Sequence, residues 1–409
     1  MAQALSLQAE PIHVPAEVLA DLRKRLEMTR WPLDAGNEDW YYGANCEYLQ
    51  QLVQYWRTDF DWRVAEAKIN IYEHYQVEID NVPVHFMRRP SAVPDAVPLI
   101  LTHGWPWTFW HWSRVVDALA DPAAYGGDPA EAFDVIVPSL PGFGFSTPLL
   151  RPDINFWKTA DLWHTLMTEV LGHTRYAAAG CDMGALVTGQ LGHKYADHLY
   201  GIHIGSGTKL DLFNGDRGWN LLGSQPIPPG LPADILAQIN SLERRFAGHV
   251  AVQMLDSSTL AVGLSDSPAG MLAWILQRWR SWTDYDGDLE TVLSRDELLT
   301  HATIYWVTNC IGTAMRFYAN NNRYPWTPTH DRQPTVEAPT GITFVGYENP
   351  PGISTDHRVQ FFLDSEDADW YNVVNATAHD RGGHFIPWEI PDEYVADVRR
   401  TFRVRIGRV

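Results

Sequence analysis

The stretch Ala177–Gly189, AAAGCDMGALVTG, contains the turn that decides the predicted fold. Its leading small residues are typical of a buried strand, and the residues after the turn are typical of a helix. Asp182 stands at the centre of the turn, between Gly180 and Gly184, which relieve crowding and let strand and helix approach closely. A carboxylate here is either a nucleophile or the N-cap of the next helix. Caps are far commoner than nucleophiles, so the turn alone does not assign a function.

Strand-like and helix-like segments alternate on both sides of this turn. The apolar runs that predict buried strands are PLILTHG, FDVIVPSLPGFG, LYGIHIGSG and GITFVGYE. Helical segments separate most of them, which indicates an α/β fold, a parallel sheet with helices on both faces. Earlier in the chain, residues 15–66 are predicted to be helical, and two β-type runs flank Asp80-Asn81 as in a hairpin.

The alternation stops between about Gly207 and Thr300, where the sequence is mostly helical after the segment SQPIPPGLP. In this region Ser267 and Pro268 are typical of an N-cap and a first helical position. We therefore expect three parts. Residues 1–90 form an N-terminal extension of helices and the first hairpin, residues 91–206 and 300–409 form the α/β core, and residues 207–299 form an inserted helical cap.

Composition and charge exclude several classes of protein. The 409 residues, 45% of them hydrophobic, suffice for a core with a large insertion. A net charge of −19 argues against binding to nucleic acid or to anionic lipid. No stretch approaches the ~20 apolar residues of a membrane helix, and the N-terminus lacks the pattern of a secretory signal. We expect a soluble, cytoplasmic protein with neither nucleic acid nor membrane as a partner.

The cysteines Cys46, Cys181 and Cys310 are widely separated along the chain. Their spacing fits neither a disulfide framework nor a metal site, and it agrees with a reducing compartment. We expect no metal and no cofactor. The sequence does not determine the oligomeric state, and a homodimer is left open.

Further reactive groups follow predicted strands, at the sheet edge where active sites of α/β proteins lie. Trp105, in His103-Gly104-Trp105-Pro106, could offer its N–H as an oxyanion donor, or simply belong to a strand-to-helix loop. Glu348 follows the apolar run GITFVGY, and His384 follows two glycines in RGGHF. Alone, each could be an ordinary loop residue. Their order after Asp182 is the nucleophile–acid–base order of the α/β-hydrolase arrangement.

A carboxylate nucleophile suits attack on saturated carbon, as in an epoxide or a carbon–halogen bond, and leaves an ester on the enzyme. His384, oriented by Glu348, would then activate the water that hydrolyses this ester. The N–H groups of Trp105 and Met183 would stabilise the tetrahedral intermediate. Tyr318 ends an apolar helical face and is either a core residue or the acid that protonates an opening epoxide oxygen.

Over nearly its whole length, the sequence resembles the epoxide hydrolases of the α/β-hydrolase superfamily, especially the microsomal type. The segments that carry this resemblance are WPLDAGNEDWYYG, NVPVHFMRRP, LTHGWPWTFWHW, PSLPGFGFSTP, LSDSPAGMLAWILQRWRSWTD, RFY, TGITFVGYE and RGGHF. The resemblance implies hydrolysis of an epoxide to a vicinal diol, with Asp182, Glu348 and His384 as the catalytic set. It also implies that Tyr318, in RFY, is a ring-opening tyrosine.

Two positions depart from the family pattern. Met183 stands where a tryptophan often follows the nucleophile, but its expected role uses only the backbone N–H. His249 stands four residues before Gln253, where a second ring-opening tyrosine is expected. An imidazole can also donate a hydrogen bond, so we expect a His249/Tyr318 pair. The aromatic-rich cap favours an apolar or aromatic epoxide. The alternatives are a haloalkane dehalogenase and a non-catalytic ligand-binding protein on the same fold.

Overall fold

A computed structural model describes residues 7–206, 209–213, 230–246 and 248–403 of the chain. Its strands are β1 (Glu73–Ile79), β2 (Val82–Arg89), β3 (Val97–Thr102), β4 (Phe133–Pro138), β5 (Tyr176–Gly180), β6 (Leu199–Gly205), β7 (Val336–Val345) and β8 (Tyr371–His379). In this described part they form one eight-stranded sheet, in the order β1-β2-β4-β3-β5-β6-β7-β8. Strand β2 is antiparallel to β1 and β4, and the other neighbours are parallel. The predicted α/β class with a mostly parallel sheet is therefore confirmed.

The α-helices of the described residues are α1 (Ala16–Glu27), α2 (Cys46–Thr58), α3 (Trp62–Ile69), α4 (Val116–Ala120), α5 (Phe156–Thr165), α6 (Met183–Lys194), α7 (Ala233–Phe246), α8 (Gly248–Leu255), α9 (Ser257–Asp266), α10 (Pro268–Trp282), α11 (Arg295–Val307), α12 (Ile311–Arg323), α13 (Thr355–Leu363), α14 (Ile386–Glu389) and α15 (Pro391–Arg403). Helix α6 packs against β3, β5, β6 and β7, and α15 packs against β6, β7 and β8. Every residue of β5 is buried. Because successive side chains of a strand point to opposite faces, the sheet is covered on both faces at its centre.

The hairpin predicted at Asp80-Asn81 joins β1 to β2, and both residues have a positive φ, 52° and 58°. Two such residues are what the tight turn of a two-residue hairpin requires. Because β2 also pairs with β4, the hairpin belongs to the central sheet, although the sequence grouped it with the N-terminal extension. The division of the chain at residues 90, 206 and 299 stays a proposal.

The N-terminal helices α1 and α2 pack against two later helices, α10 and α11. Helix α1 buries Leu19, Leu22 and Leu26, which share one helical face, and it packs against α10 and α11. Helix α2 packs on the same two helices, and the Nε1 atom of its Trp56 donates to Oγ1 of Thr303 at 3.0 Å. The N-terminal helices therefore support α10 and α11.

The predicted cap region is helical where it is described. Helices α8 and α9 pack against α12, so that Tyr318 on α12 faces α8. Ser267 caps α10 as predicted, since its Oγ accepts the N–H of Gly270 at 3.0 Å, and Pro268 is the first residue of the helix. Most of the segment SQPIPPGLP lies outside the described residues. Within the described ranges, no helix is both long and apolar enough to cross a bilayer.

Candidate active site

Asp182 lies in a tight turn between β5 and α6, with a φ of 55° and a ψ of −128°. A non-glycine residue in such a conformation costs of order 1–3 kcal/mol. The turn is possible only because its neighbours lack side chains. A Cβ atom on Gly184 would lie 1.9 Å from the carbonyl oxygen of Thr102, and one on Gly104 would lie 2.1 Å from Oδ1 of Asp182. The sharp strand–turn–helix geometry presents the carboxylate above the end of the sheet.

The structure does not support the alternative interpretation, in which the Asp182 side chain caps the helix. Asp182 occupies the N-cap position of α6, but its side chain makes no capping hydrogen bond. The N–H of Trp105 donates to Oδ1 at 2.7 Å, and Nε2 of His384 lies 2.9 Å from Oδ2. The two carboxylate oxygens are therefore in different environments, one on a backbone donor and one on an imidazole.

His384 lies between two carboxylates. Its Nδ1 atom is 2.7 Å from Oε1 of Glu348, on the side of the ring opposite Asp182. Although burial lowers the pKa of His384, its hydrogen bonds to Asp182 and Glu348 raise that pKa well above its ordinary value. Burial raises the pKa of Glu348, but the hydrogen bond from His384 outweighs it and holds that pKa below its ordinary range. The resting site therefore holds a charged imidazole and an ionised glutamate.

Two further groups hold Glu348 in place, and sequence reasoning missed both. The hydroxyl of Ser206 donates to Oε2 of Glu348 at 2.8 Å, and Nη2 of Arg358 lies 3.8 Å from the same oxygen. Ser206 directly follows β6 and has a φ of 60°. Its place at the end of a central strand is a signal that could have identified it. Arg358 is on α13 and offers no comparable signal.

Tyr318 and His249 form a buried pair, with the Tyr318 hydroxyl 3.1 Å from Nε2 of His249. Burial, and then the charge of Asp182, raises the pKa of Tyr318 well above its ordinary value. Burial lowers the pKa of His249 well below its ordinary value, and the charges of Arg278 and His384 lower it further. Both groups are therefore neutral near pH 7 and can act as hydrogen-bond donors.

Aromatic rings fix the position of His249. The ring of Trp105 stacks on the imidazole at 5.0 Å with an interplanar angle of 12°, and the ring of Trp282 meets it edge-on at 4.8 Å. Trp282 also contacts the ring of His384 at 4.8 Å. This tryptophan ends α10, so the region predicted to be a cap contributes directly to the site.

All five predicted side chains, Asp182, His384, Glu348, Tyr318 and His249, reach one cavity of about 410 Å³. Its remaining wall is mostly apolar and includes Met183, Leu186, Leu212, Phe213, Phe246, Val250, Trp282 and Ile386. An apolar pocket with a few convergent polar groups is typical of a site for a small organic substrate. Met183, at the start of α6, also lines this cavity, and its predicted role as a backbone N–H donor stays a proposal.

Comparison with known proteins assigns the family. Residues 7–112 match the family described as epoxide hydrolase N terminus, and residues 97–224 match the family described as alpha/beta hydrolase fold. A protein of Stigmatella aurantiaca that is named as an epoxide hydrolase is 35% identical over 396 residues, covering 96% of this chain and 84% of that protein. The chain belongs to the epoxide hydrolases of the α/β-hydrolase superfamily.

Other members agree with this assignment. Epoxide hydrolase 1 of Oryctolagus cuniculus is 28% identical over 409 residues, covering 96% of this chain and 88% of that protein. The juvenile hormone epoxide hydrolase of the silkworm Bombyx mori superposes with a TM-score of 0.78 at 26% identity, covering 98% of this chain and 94% of that chain. The Aspergillus niger epoxide hydrolase superposes with a TM-score of 0.75 at 25% identity, covering 98% and 97% of the two chains. The predicted α/β-hydrolase fold and the predicted class of enzyme are confirmed.

Proposed function

We propose that this enzyme converts an epoxide to a vicinal diol in two covalent steps, with Asp182 as the nucleophile. The observation that carries the proposal is the pair of contacts on its carboxylate. Oδ1 accepts the N–H of Trp105 at 2.7 Å, while Oδ2 lies 2.9 Å from Nε2 of His384, and Asp182 lines the cavity. One oxygen is thus held by a backbone donor, and the other is free to bond to carbon once the imidazole yields its place to substrate.

In the first step, Oδ2 of Asp182 attacks a ring carbon and the carbon–oxygen bond of the epoxide breaks. The ring oxygen takes the proton of Tyr318. His249, in the tautomer with its proton on Nε2, donates a hydrogen bond to the same oxygen. Both donors are neutral near pH 7, so neither has to be charged before it acts. Positioned acids of this kind accelerate a reaction by roughly 10²–10⁴-fold.

The second step is hydrolysis of the ester on Asp182. Forming the ester removes the negative charge that holds the pKa of His384 high, so the imidazolium loses its proton, and this proton restores the phenol of Tyr318. The neutral imidazole then acts as a base and takes a proton from water. The resulting hydroxide attacks the ester carbon, and Glu348 stabilises the imidazolium. The N–H groups of Trp105 and Met183 would hold the oxyanion, each typically worth about 3 kcal/mol. The bond between the ester carbon and the alkyl oxygen then breaks, and the alkoxide takes the proton of the new carboxyl group. The diol leaves, with Asp182 ionised again and His384 charged again.

The shape and lining of the cavity support an apolar substrate. A volume of about 410 Å³ is enough for a substituted or aromatic epoxide. Phe246 and Trp282 form an aromatic wall next to His384, with ring centroids 6.0 Å apart. We propose an apolar or aromatic epoxide on this basis.

The dehalogenase alternative rests on one atom. The indole Nε1 of Trp105 is buried without a hydrogen-bond partner among the described residues, and a halide ion would accept such a donor. However, the described cavity is not lined by Trp105, whose ring stacks on His249. Tyr318, the proposed acid for an epoxide oxygen, does line that cavity, which favours the epoxide.

Labelled water tests the proposal. Excess enzyme turns over styrene oxide once in H₂¹⁸O, in parallel with 1-chlorobutane, and both product and protein are analysed by mass spectrometry. Because water attacks the ester carbon, the label should enter the peptide containing Asp182 and be absent from the diol. A labelled diol would show direct attack of water on the epoxide and would overturn the covalent mechanism. Chloride release without diol would favour the dehalogenase, and Asp182→Asn should abolish alkylation.

A further inference from the structure

Glu389, the last residue of α14, folds back over the loop that carries His384. Its Oε2 atom accepts the N–H of Gly383 at 2.9 Å, and its Oε1 atom accepts the N–H of Phe385 at 2.9 Å. These two donors belong to the residues on either side of His384. The N–H of His384 itself donates to the carbonyl oxygen of Trp282 at 2.8 Å. Three successive N–H groups of the loop are therefore held.

The same carboxylate also connects this loop to the end of the cap. Its Oε2 atom accepts a second N–H, that of Asp284, at 2.7 Å. Asp284 lies two residues beyond the end of α10, whose Trp282 contacts the imidazole of His384. The Asp284 side chain accepts the N–H of Gly382 at 3.0 Å. Glu389 thus bonds to the backbone on both sides of the junction between cap and core.

The two residues before His384 are glycines, Gly382 and Gly383, so the loop has no side chains at this point. Gly382 has a φ of 95°, which favours glycine. A Cβ atom on Gly383 would lie 2.4 Å from the carbonyl oxygen of Trp282 and 2.8 Å from Oε2 of Glu389. Because the loop cannot carry packing side chains here, its conformation depends on hydrogen bonds to its backbone. Glu389 supplies two of them.

We propose that Glu389 is a positioning residue that holds His384 in place for hydrolysis of the ester, an inference that rests on the proposed function. In the resting enzyme the imidazole is also held by the charge of Asp182, at 2.9 Å. Esterification of Asp182 removes that charge. The backbone anchor therefore matters most in the second step, when His384 must be aimed at a water molecule.

Glu389→Gln tests this, because glutamine has nearly the same size but only one acceptor oxygen for the three donors. With styrene oxide, we expect alkylation of Asp182 to change little, and hydrolysis of the ester to slow by about tenfold, as for one lost hydrogen bond. In steady state, kcat and KM should then fall together, and the ester should accumulate in the mass spectrum. A purely structural role would instead lower kcat at constant KM, without accumulating ester, and would overturn the proposal.

Three companion variants complete the experiment. Glu66→Gln is the matched control. Glu66 lies on α3, is also buried, and accepts the N–H of Val14 at 2.7 Å. This variant should leave the ratio of the alkylation rate to the ester hydrolysis rate unchanged. Glu389→Asp keeps both oxygens on a shorter side chain and should restore part of the hydrolysis rate, which keeps the test open if the glutamine variant folds poorly. His384→Gln separates the two proposals. No ester in that variant would refute the two-step mechanism, whereas ester there and none in Glu389→Gln or Glu389→Asp would refute only the role of Glu389.

Discussion

The hydroxyl of Tyr318 lies 3.1 Å from Nε2 of His249, so two proton donors from different helices meet at one point of the cavity. Tyr318 comes from α12 and His249 from α8, which pack against each other. Both donors are buried and border the same space as Asp182. Because the two residues lie on different helices, the contribution of each to ring opening can be measured by replacing one and keeping the other.

Tyr318→Phe should slow ring opening, because it removes the acid that protonates the leaving oxygen while His249 remains as a weaker donor. We expect the pre-steady-state rate of alkylation to fall by about 10²-fold. Stopped-flow measurement of the alkylation phase, with styrene oxide in excess, gives this rate. The control is Tyr176→Phe. Tyr176 is the first residue of β5, at the end of the strand away from Asp182, and the change removes a hydroxyl that contacts Nδ1 of His164. An unchanged rate in Tyr318→Phe would remove that tyrosine from the mechanism.

His249→Tyr and His249→Phe should differ, because only the tyrosine keeps a donor at this position. We expect His249→Tyr to alkylate within about tenfold of the parent enzyme, and His249→Phe to be slower than His249→Tyr by about tenfold, as for one hydrogen bond to a developing charge. The same alkylation measurement applies to both. Equal rates in the two variants would mean that position 249 acts only through packing.

The stability of the enzyme should depend on pH through His384. Burial lowers its pKa, but the bonds to Asp182 and Glu348 raise it to about 10 in the folded state. A raised pKa means that this stabilisation is fully present below the unfolded value of about 6.5 and is lost as the pH rises through the folded value. The thermal midpoint of the parent should therefore fall more steeply than that of His384→Gln over this interval. Parallel curves would contradict the raised pKa.

Gly184→Ala should destabilise the fold, because its Cβ atom would meet the carbonyl oxygen of Thr102. Overpacking of this kind costs about 1–3 kcal/mol in the free energy of unfolding. The control is Gly263→Ala in α9, where a Cβ atom would have no heavy atom within 4 Å. That change should stabilise the helix by about 0.5–1 kcal/mol. Urea unfolding of both variants measures the difference, and equal midpoints would show that the turn adapts without strain.

Local patterns predicted most of the core correctly, and they failed where packing overrides them. The run PLILTHG became β3, and the turn after β5 has the strained geometry that its glycines indicate. The local pattern of the segment FWHWSRVVDAL is typical of one helix, but in the structure it is a 3₁₀ segment, Phe109–Arg114, followed by α4. Phe109 and Trp112 are both fully buried there. That burial is a tertiary constraint, which local spacing does not contain.

The sequence by itself determined the order of the elements and the identity of the reactive side chains, because strand, turn and helix signals are local. Only the tertiary structure decided how those side chains meet. The contact of His384 with Glu348 spans 36 residues, and its contact with Asp182 spans 202. Such distances depend on how the strands and loops are placed around the sheet. For the same reason the roles of Arg358 and Glu389 are visible only in three dimensions, since Arg358 contacts Glu348 on another element and Glu389 contacts backbone that no sequence pattern describes. The contact of Ser206 with Glu348 spans 142 residues, although the place of Ser206 at a strand end is a local signal.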